Sequence, residues 1–252
     1  MDLVERKGFL GRRHPWEVAR AEFFLQLLTR RGLLDGCGDW LDVGSGDAWF
    51  GRQLRRILPR EAELTCWDIN YTPEDLASAG ESGYEGISLV AERPSGRFDR
   101  MLMLDVIEHV ENDVEFVQSA VDDLLADGAM VLVSVPAYQA LFSSHDKSLR
   151  HYRRYSPATC RRLLEQAGLL VLNDGGLFHS LLPVRVVQAL GERVRPVKSL
   201  RGGIGEWPGG KIATKVLTRG LIMDGKVSLS LSSRGIALPG LSYWALCRFP
   251  GT

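Results

Sequence analysis

The chain predicts a doubly wound α/β fold built on a mostly parallel sheet. Three observations carry this reading: short apolar runs that end in polar residues, amphipathic stretches between them, and a glycine turn after the first run. Continuous apolar runs suit strands covered on both faces. Strand–helix–strand order within one sheet implies right-handed crossovers. In such sheets a ligand sits beyond the carboxyl ends of the strands.

The first strand, Trp40-Leu41-Asp42-Val43, runs into Gly44-Ser45-Gly46. Glycine has no Cβ, so the backbone turns tightly there and approaches a ligand closely. The second run ends at Cys66-Trp67-Asp68-Ile69-Asn70. Asp68 thus falls about 20 residues past the turn, where an acid accepts hydrogen bonds from ribose hydroxyls. Ile87 to Ala91 is the third strand, and Phe98 to Val110 reads as the fourth, a buried strand ending in polar residues that include Asp105, Glu108 and His109. A helical pattern through Val114, Val117, Val121, Leu124 and Leu125 is expected to stop at Asp127-Gly128. Ala129 to Pro136 reads as the fifth strand. A helix opens at Ser156-Pro157 and stops at Gly168. Leu169 to Leu172 is the sixth strand, and Leu241 to Phe249 is the last. Asp42, Asp68, Asp105 and Ser134 to Pro136 all fall at carboxyl ends.

Gly44 and Gly46 fit the dinucleotide fingerprint, but Trp49 stands at its third glycine and Gly51 comes late. Aromatics at 49 and 50 crowd a pyrophosphate, and Asp42 suits a ligand carrying an ammonium group. A glycine motif alone is equally at home in a plain strand–helix connection. Asp-x-Gly-x-Gly resembles the first motif of class I S-adenosylmethionine-dependent methyltransferases. Leu104-Asp105-Val106-Ile107-Glu108-His109-Val110 is similar to their small-molecule branch of the ubiquinone-biosynthetic type. So are the loop His145 to Ser156, with His151-Tyr152-Arg153-Arg154-Tyr155-Ser156 after Asp146, and His14-Pro15-Trp16-Glu17. The resemblance covers about residues 14 to 172 and the final strand.

It implies a seven-stranded Rossmann-like sheet whose last strand runs antiparallel between the fifth and sixth, with an insertion before it. It implies S-adenosyl-L-methionine as cofactor. Gly44, Ser45 and Gly46 would then offer backbone to the methionine and ribose, and Asp42 would face the α-amino group through water. Asp68 would take the ribose hydroxyls, with Ile69 against the adenine. Asp105 and Val106 would line the floor under the sulfonium. Glu92 would approach the adenine amino group, and Trp16 and Arg20 would close over the methionine end.

Methyl transfer from a sulfonium needs alignment above all, and a hydroxyl acceptor also benefits from a base near neutral pH. His109, His145 and His151 are the candidates; each could instead brace its own loop or helix start. Arg153, Arg154 and Tyr155 are candidate substrate-binding residues, with bracing of the acidic rim around Asp146 as the alternative. Asp105, Glu108 and His109 are spaced so that a helical turn could converge them on a cation. Relatives occur with and without a metal at this point, and none is assigned.

All 252 residues are read as a single methyltransferase domain, with about 178–240 as an insertion within it. The insertion is apolar on more than one face, which suits a cap over the substrate, a dimer contact or an interfacial anchor; a cap is preferred. Residues 1–150 hold 16 Lys and Arg against 26 Asp and Glu, and residues 151–252 hold 15 against 5. This asymmetry describes either two solvated faces or a basic half that recruits an anionic substrate or membrane surface. Arg193, Arg195, Lys198, Arg201, Lys211, Lys215 and Arg219 are its candidates. No basic stripe is interleaved with aromatics, so a small-molecule or lipid-like acceptor is expected rather than nucleic acid. The glycine-rich stretch Arg201 to Gly210 reads as a loop. The four cysteines have no paired or metal-ligand spacing. With no secretory signal at the start, a reducing cytoplasmic setting is expected, and peripheral membrane contact and oligomeric state stay open. The competing readings are a nicotinamide-dependent oxidoreductase, disfavoured by Trp49 and the lack of Tyr-x-x-x-Lys, and a non-catalytic binding protein of the same fold.

Overall fold

A computed structural model of the chain describes residues 13–80, 83–194 and 209–251. Arg195, Lys198, Arg201 and the glycine-rich stretch 201–208 lie outside them, as does the side chain of Arg193.

Helix α1 (Pro15–Arg30) starts with a capping box: the His14 ring accepts the N–H of Trp16 and Glu17 reaches back to the His14 N–H. Such reciprocal caps satisfy donors that a helix start leaves open. The chain then alternates β1 (Trp40–Val43), α2 (Trp49–Arg55), β2 (Leu64–Trp67), α3 (Pro73–Ala77), β3 (Ile87–Val90), β4 (Phe98–Leu104) and α4 (Asp113–Leu124). It continues through β5 (Leu125–Pro136), α5 (Ser144–Ser148), α6 (Pro157–Gln166), β6 (Leu170–Leu177), α7 (Leu181–Val194), α8 (Lys211–Ser232) and β7 (Ser242–Arg248). Seven strands make one sheet in the order β3-β2-β1-β4-β5-β7-β6. β7 is antiparallel to β5 and β6, and the other pairings are parallel. Strand order reverses between β1 and β4, and at such a switch point a cleft opens beyond the strand ends.

Alternation along the strands divides the core in two. Met101, Met103, Val131 and Val133 join Val117, Val121 and Leu164 on one face. Leu102, Leu132, Trp244 and Leu246 join Phe24, Leu27 and Leu229 on the other. Each fully buried side chain of this size is worth about 1.5–3 kcal/mol.

Some boundaries differ from the expectation. α4 ends at Leu124, not at Asp127-Gly128, because Leu125 already pairs with Phe98 of β4. Gly128, at φ +80°, instead turns within β5 and donates its N–H to the Phe249 carbonyl. β6 runs on past Leu172 to Leu177 because it follows β7 down to Ser242, with a bulge at Val171/Asn173. Where the two strands finish, a Cβ on Gly176 would come within 2.3 Å of the Leu238 carbonyl oxygen, so only glycine fits.

The 178–240 region holds α7 and α8. α8 lies against α1, where Gly225 lets the Phe23 ring approach to 3.2 Å of a notional Cβ. Asp224 of α8 accepts the N–H groups of His179 (3.2 Å) and Ser180 (2.9 Å), which anchors the start of α7.

Candidate functional site

The turn after β1 alternates left-handed residues: Gly44 at φ +62°, Gly46 at +57° and Ala48 at +52°. At Gly44 space as well as conformation demands glycine, since a Cβ would lie 2.7 Å from Cγ2 of Val106. The N–H of Gly44 donates to the Trp67 carbonyl at 2.7 Å. Asp68, one residue past β2, accepts the N–H of Gly46 (2.9 Å) through one carboxylate oxygen and that of Asn70 (2.9 Å) through the other. One side chain thereby ties the tips of β1 and β2 together. Ser45 Oγ is bonded to the Tyr71 hydroxyl at 2.8 Å. Asp42 is buried beneath the turn, and burial, reinforced by the charge of Asp68, pushes its carboxyl up to about 7.

Over this turn opens a cavity of about 610 Å³. Gly44, Gly46, Asp68, Asn70 and Ile69 form one end of its wall. Ile69 is 76% exposed, an apolar plate held open to the cavity. Asp42 and Ser45 lie behind the wall, and Glu92 is exposed outside it. Trp16, Glu17 and Arg20 of α1 close one side, with the Arg20 guanidinium 4.6 Å above the Trp16 ring. Arg20 also pairs with Asp105. Asp105 sits at φ +59°, and its carboxylate accepts the Ser134 hydroxyl at 2.7 Å. For a non-glycine residue that conformation costs about 1–3 kcal/mol, offset here by these two partners.

The cavity is also lined by Glu108, His109, His145, His151 and Arg154, and from the insertion by Phe178, Leu181 and Arg185. Asp146 organises this group. This fully buried acid caps α5, accepting the Ser143 N–H at 2.9 Å. Burial alone would raise its pKa, but hydrogen bonds with His151 and Arg154 outweigh that and hold it well below the ordinary carboxylate range. An ionised Asp146 can only accept, so His151 Nδ1, 3.0 Å away, carries the proton. In the neutral form of the ring this leaves Nε2 as the bare nitrogen. His109 meets this ring edge-on, with centroids 4.6 Å apart. Burial lowers the pKa of His145.

The paired arginines separate. Arg154 lines the cavity and donates Nε–H to Asp146 at 2.7 Å. Arg153 turns away to Asp113 (2.8 Å) and the Glu111 carbonyl (2.6 Å). Tyr155 is buried, its hydroxyl donating to Asp113 at 2.6 Å. Arg153 and Tyr155 therefore lie off the cavity and brace α4, whereas substrate contact was expected of them.

Asp105, Glu108 and His109 do not converge, because Asp105 is turned to Arg20 and Ser134. Among the described residues, Glu108, His109 and His151 instead bring donor atoms within 4.8 Å of one another. Glu108 is fully buried and neither carboxylate oxygen has a hydrogen-bond partner. Burial pushes it up to about 8 from 4.5. The folded chain thus keeps a proton that the unfolded chain releases, and stability falls as pH rises between those two values. Glu108→Gln removes this slope. In chelator-treated buffer its thermal midpoint is expected to match wild type near pH 5 and exceed it near pH 8.5, by a free energy on the order of 4 kcal/mol. Parallel midpoint curves for the two proteins would show that Glu108 ionises freely.

Glu17, Phe178 and Arg185 went unnoticed in the sequence as cavity residues. Glu17 had a signal in the His14-Pro15-Trp16-Glu17 cap, and Ser143-x-x-Asp146 is another capping box that marks Asp146. Phe178 and Arg185 had theirs in the apolar insertion, for which a cap over the substrate was preferred, although neither was singled out.

A family model described as "Methyltransferase domain" matches residues 16–173. No curated protein sequence matches the chain. Among solved structures, a putative sarcosine dimethylglycine methyltransferase from Galdieria sulphuraria shares 13% identity at a TM-score of 0.56, over 92% of this chain and 85% of that one. The N-methyltransferase NodS from Bradyrhizobium japonicum WM9, solved with S-adenosyl-L-homocysteine, shares 14% at 0.53, over 94% and 89%. An S-adenosylmethionine-dependent methyltransferase from Mesorhizobium loti shares 12% at 0.55, over 90% and 97%. At such identities the likeness speaks for the fold, and the family model speaks for the lineage: the chain belongs to the methyltransferase-domain family of class I, S-adenosylmethionine-dependent enzymes.

Proposed function

We propose that this enzyme methylates a hydroxyl group of a small, lipid-like acceptor, with His151 as the base. The observation that supports the reading is His151 on the wall of the same cavity as Gly44 and Gly46, its Nδ1 held at 3.0 Å by the buried Asp146 behind it. The cavity residues suit S-adenosylmethionine. Val106 fills the space a Cβ on Gly44 would need, so bare backbone faces the cavity there. Ile69 offers an apolar surface to a base, and Asp68 a carboxylate beside it. When bound, the cofactor supplies an activated methyl group. The chain's part is to hold the acceptor oxygen in line and take up its proton at His151 Nε2. Asp146 fixes the tautomer and steadies the imidazolium that forms, as a buried carboxylate does for a histidine base elsewhere.

Acceptor class follows from the walls. Leu104, Val106, Val110, Phe116, Phe178 and Leu181 make much of the interior apolar. The charges nearby are already engaged: Arg154 with Asp146, and Arg185 with Glu192 (3.0 Å). An apolar acceptor with one acidic hydroxyl fits such a lining better than a polyanion. The four cysteines are unpaired, three of them buried, which fits a cytoplasmic setting. The test is a panel of phenolic and enolic lipids, matched amines and short carboxylic acids, assayed for S-adenosylhomocysteine release. Turnover is expected with the hydroxyl compounds; turnover confined to amines would overturn O-methylation.

A further inference from the structure

The insertion carries a surface that the cavity does not explain. On α8, Ile212, Val216, Met223 and Val227 are exposed, Ile212 at 82% and Val216 at 66%. Their spacing places them in one stripe along the helix. Lys215, Arg219 and Lys226, also exposed, follow one edge of it. α7 turns Val184, Val187 and Leu190 to the outside, while its Leu181 and Arg185 line the cavity. The carboxylates on these two helices are occupied, Asp224 by Ser180 and Glu192 by Arg185. The stripe is therefore apolar with a basic edge of three cations, against the single carboxylate of α8, Asp224, which is turned to Ser180. An exposed apolar stripe like that of α8 marks an interaction site.

Charge selects the occupant. No described helix is long and apolar enough to cross a membrane. A helix with an apolar stripe and a lysine- and arginine-bearing edge lies in the plane of an anionic bilayer, its stripe at the headgroup–acyl boundary. A second copy of the chain fits poorly: a two-fold contact would bury the basic edge against a face that has no free carboxylate. We propose that the exposed stripe of α8 docks on an anionic lipid surface, so that the acceptor reaches the cavity directly from the bilayer. The docking stands on the surface alone; the route for the acceptor rests on the lipid-like reading of the substrate.

The experiment is co-sedimentation of the full chain with phosphatidylcholine vesicles, with and without phosphatidylglycerol. Wild type is expected to sediment with the anionic vesicles and to be released by salt. Combining Lys215→Gln, Arg219→Gln and Lys226→Gln is expected to weaken partitioning roughly 100-fold. Val216→Asp with Met223→Asp is expected to weaken it more than about tenfold. Both variants are expected to keep the wild-type thermal midpoint and S-adenosylmethionine affinity, since none of these side chains lines the cavity. Wild type staying in the supernatant, or either variant sedimenting like wild type, overturns the proposal. So does a dimer, seen by sedimentation velocity, that Val216→Asp with Met223→Asp dissociates while vesicles bind nothing. Vesicle binding needs no turnover, so failure of the acceptor panel with binding intact removes the substrate reading and leaves the docking surface.

Discussion

Replacing Asp68 with alanine is expected to weaken S-adenosylmethionine binding by at least about 100-fold while the protein stays folded. Asp68 holds the Gly46 and Asn70 N–H groups at 2.9 Å each, one on either side of the cavity end. Hydrogen bonds to an ionised acceptor are worth about 1.5–3 kcal/mol each when the partner is left buried without them. Their loss frees a turn whose Gly44 and Gly46 already sit at positive φ, conformations that glycine adopts without strain but does not prefer. The ligand would then have to order the turn as it binds, and it would also lack the carboxylate for its ribose hydroxyls. Asp68→Asn keeps an acceptor oxygen and is expected to fall between the two proteins. Isothermal titration with S-adenosylmethionine and its demethylated product gives the affinity, and far-ultraviolet circular dichroism checks the fold. Binding by Asp68→Ala within about threefold of wild type would sink the assignment.

The parts of this site that were legible in the sequence are those whose causes are local. Gly44, Gly46 and Asp68 are tied to strand ends, and strand ends announce themselves by where an apolar run stops. The antiparallel placement of the last strand came with the family resemblance, and the sheet order agrees with it. What could not be read is set by contacts between distant residues. Asp105 is separated from its partner Arg20 by 85 positions, so nothing nearby tells that it faces a cation instead of joining Glu108. Tyr155 and Asp113 are 42 apart, and Asp113, by pairing with both Tyr155 and Arg153, holds both away from the cavity. Adjacent side chains such as Arg153 and Arg154 point apart, but which of them faces inward depends on Asp146, whose full burial is not set by its neighbours in sequence. The α4 boundary failed for a related reason. Asp127-Gly128 is a sound local stop signal, but pairing of Leu125 with Phe98 ends the helix earlier.

His151→Ala is expected to lower kcat by about 100- to 10,000-fold, the usual range for loss of a general base, with cofactor affinity unchanged. The geometry sets His151 apart from the other two histidines. It has a buried, ionised acid on Nδ1 at 3.0 Å, and its loop is held to the turn after β4 by the Tyr152 N–H donating to the Glu108 carbonyl at 2.8 Å. His109 and His145 line the same cavity, but Asp146 is the acid that holds His151, so His109→Ala is expected to cost less. A base matters most when the acceptor gives up its proton reluctantly. The penalty of His151→Ala is therefore expected to shrink as the acceptor hydroxyl becomes more acidic, and nearly to vanish for a phenol already ionised at the assay pH. Asp146→Asn should lower kcat in the same acceptor-dependent way, because an amide oxygen still receives the Nδ1 proton but no longer supports the charged ring. It also removes the countercharge of the buried Arg154, so its thermal midpoint has to be measured beside its rate. Steady-state kcat for wild type and the three variants across phenols of graded acidity decides the matter. If the loss in His151→Ala is the same for every acceptor, the ring positions the substrate without taking its proton.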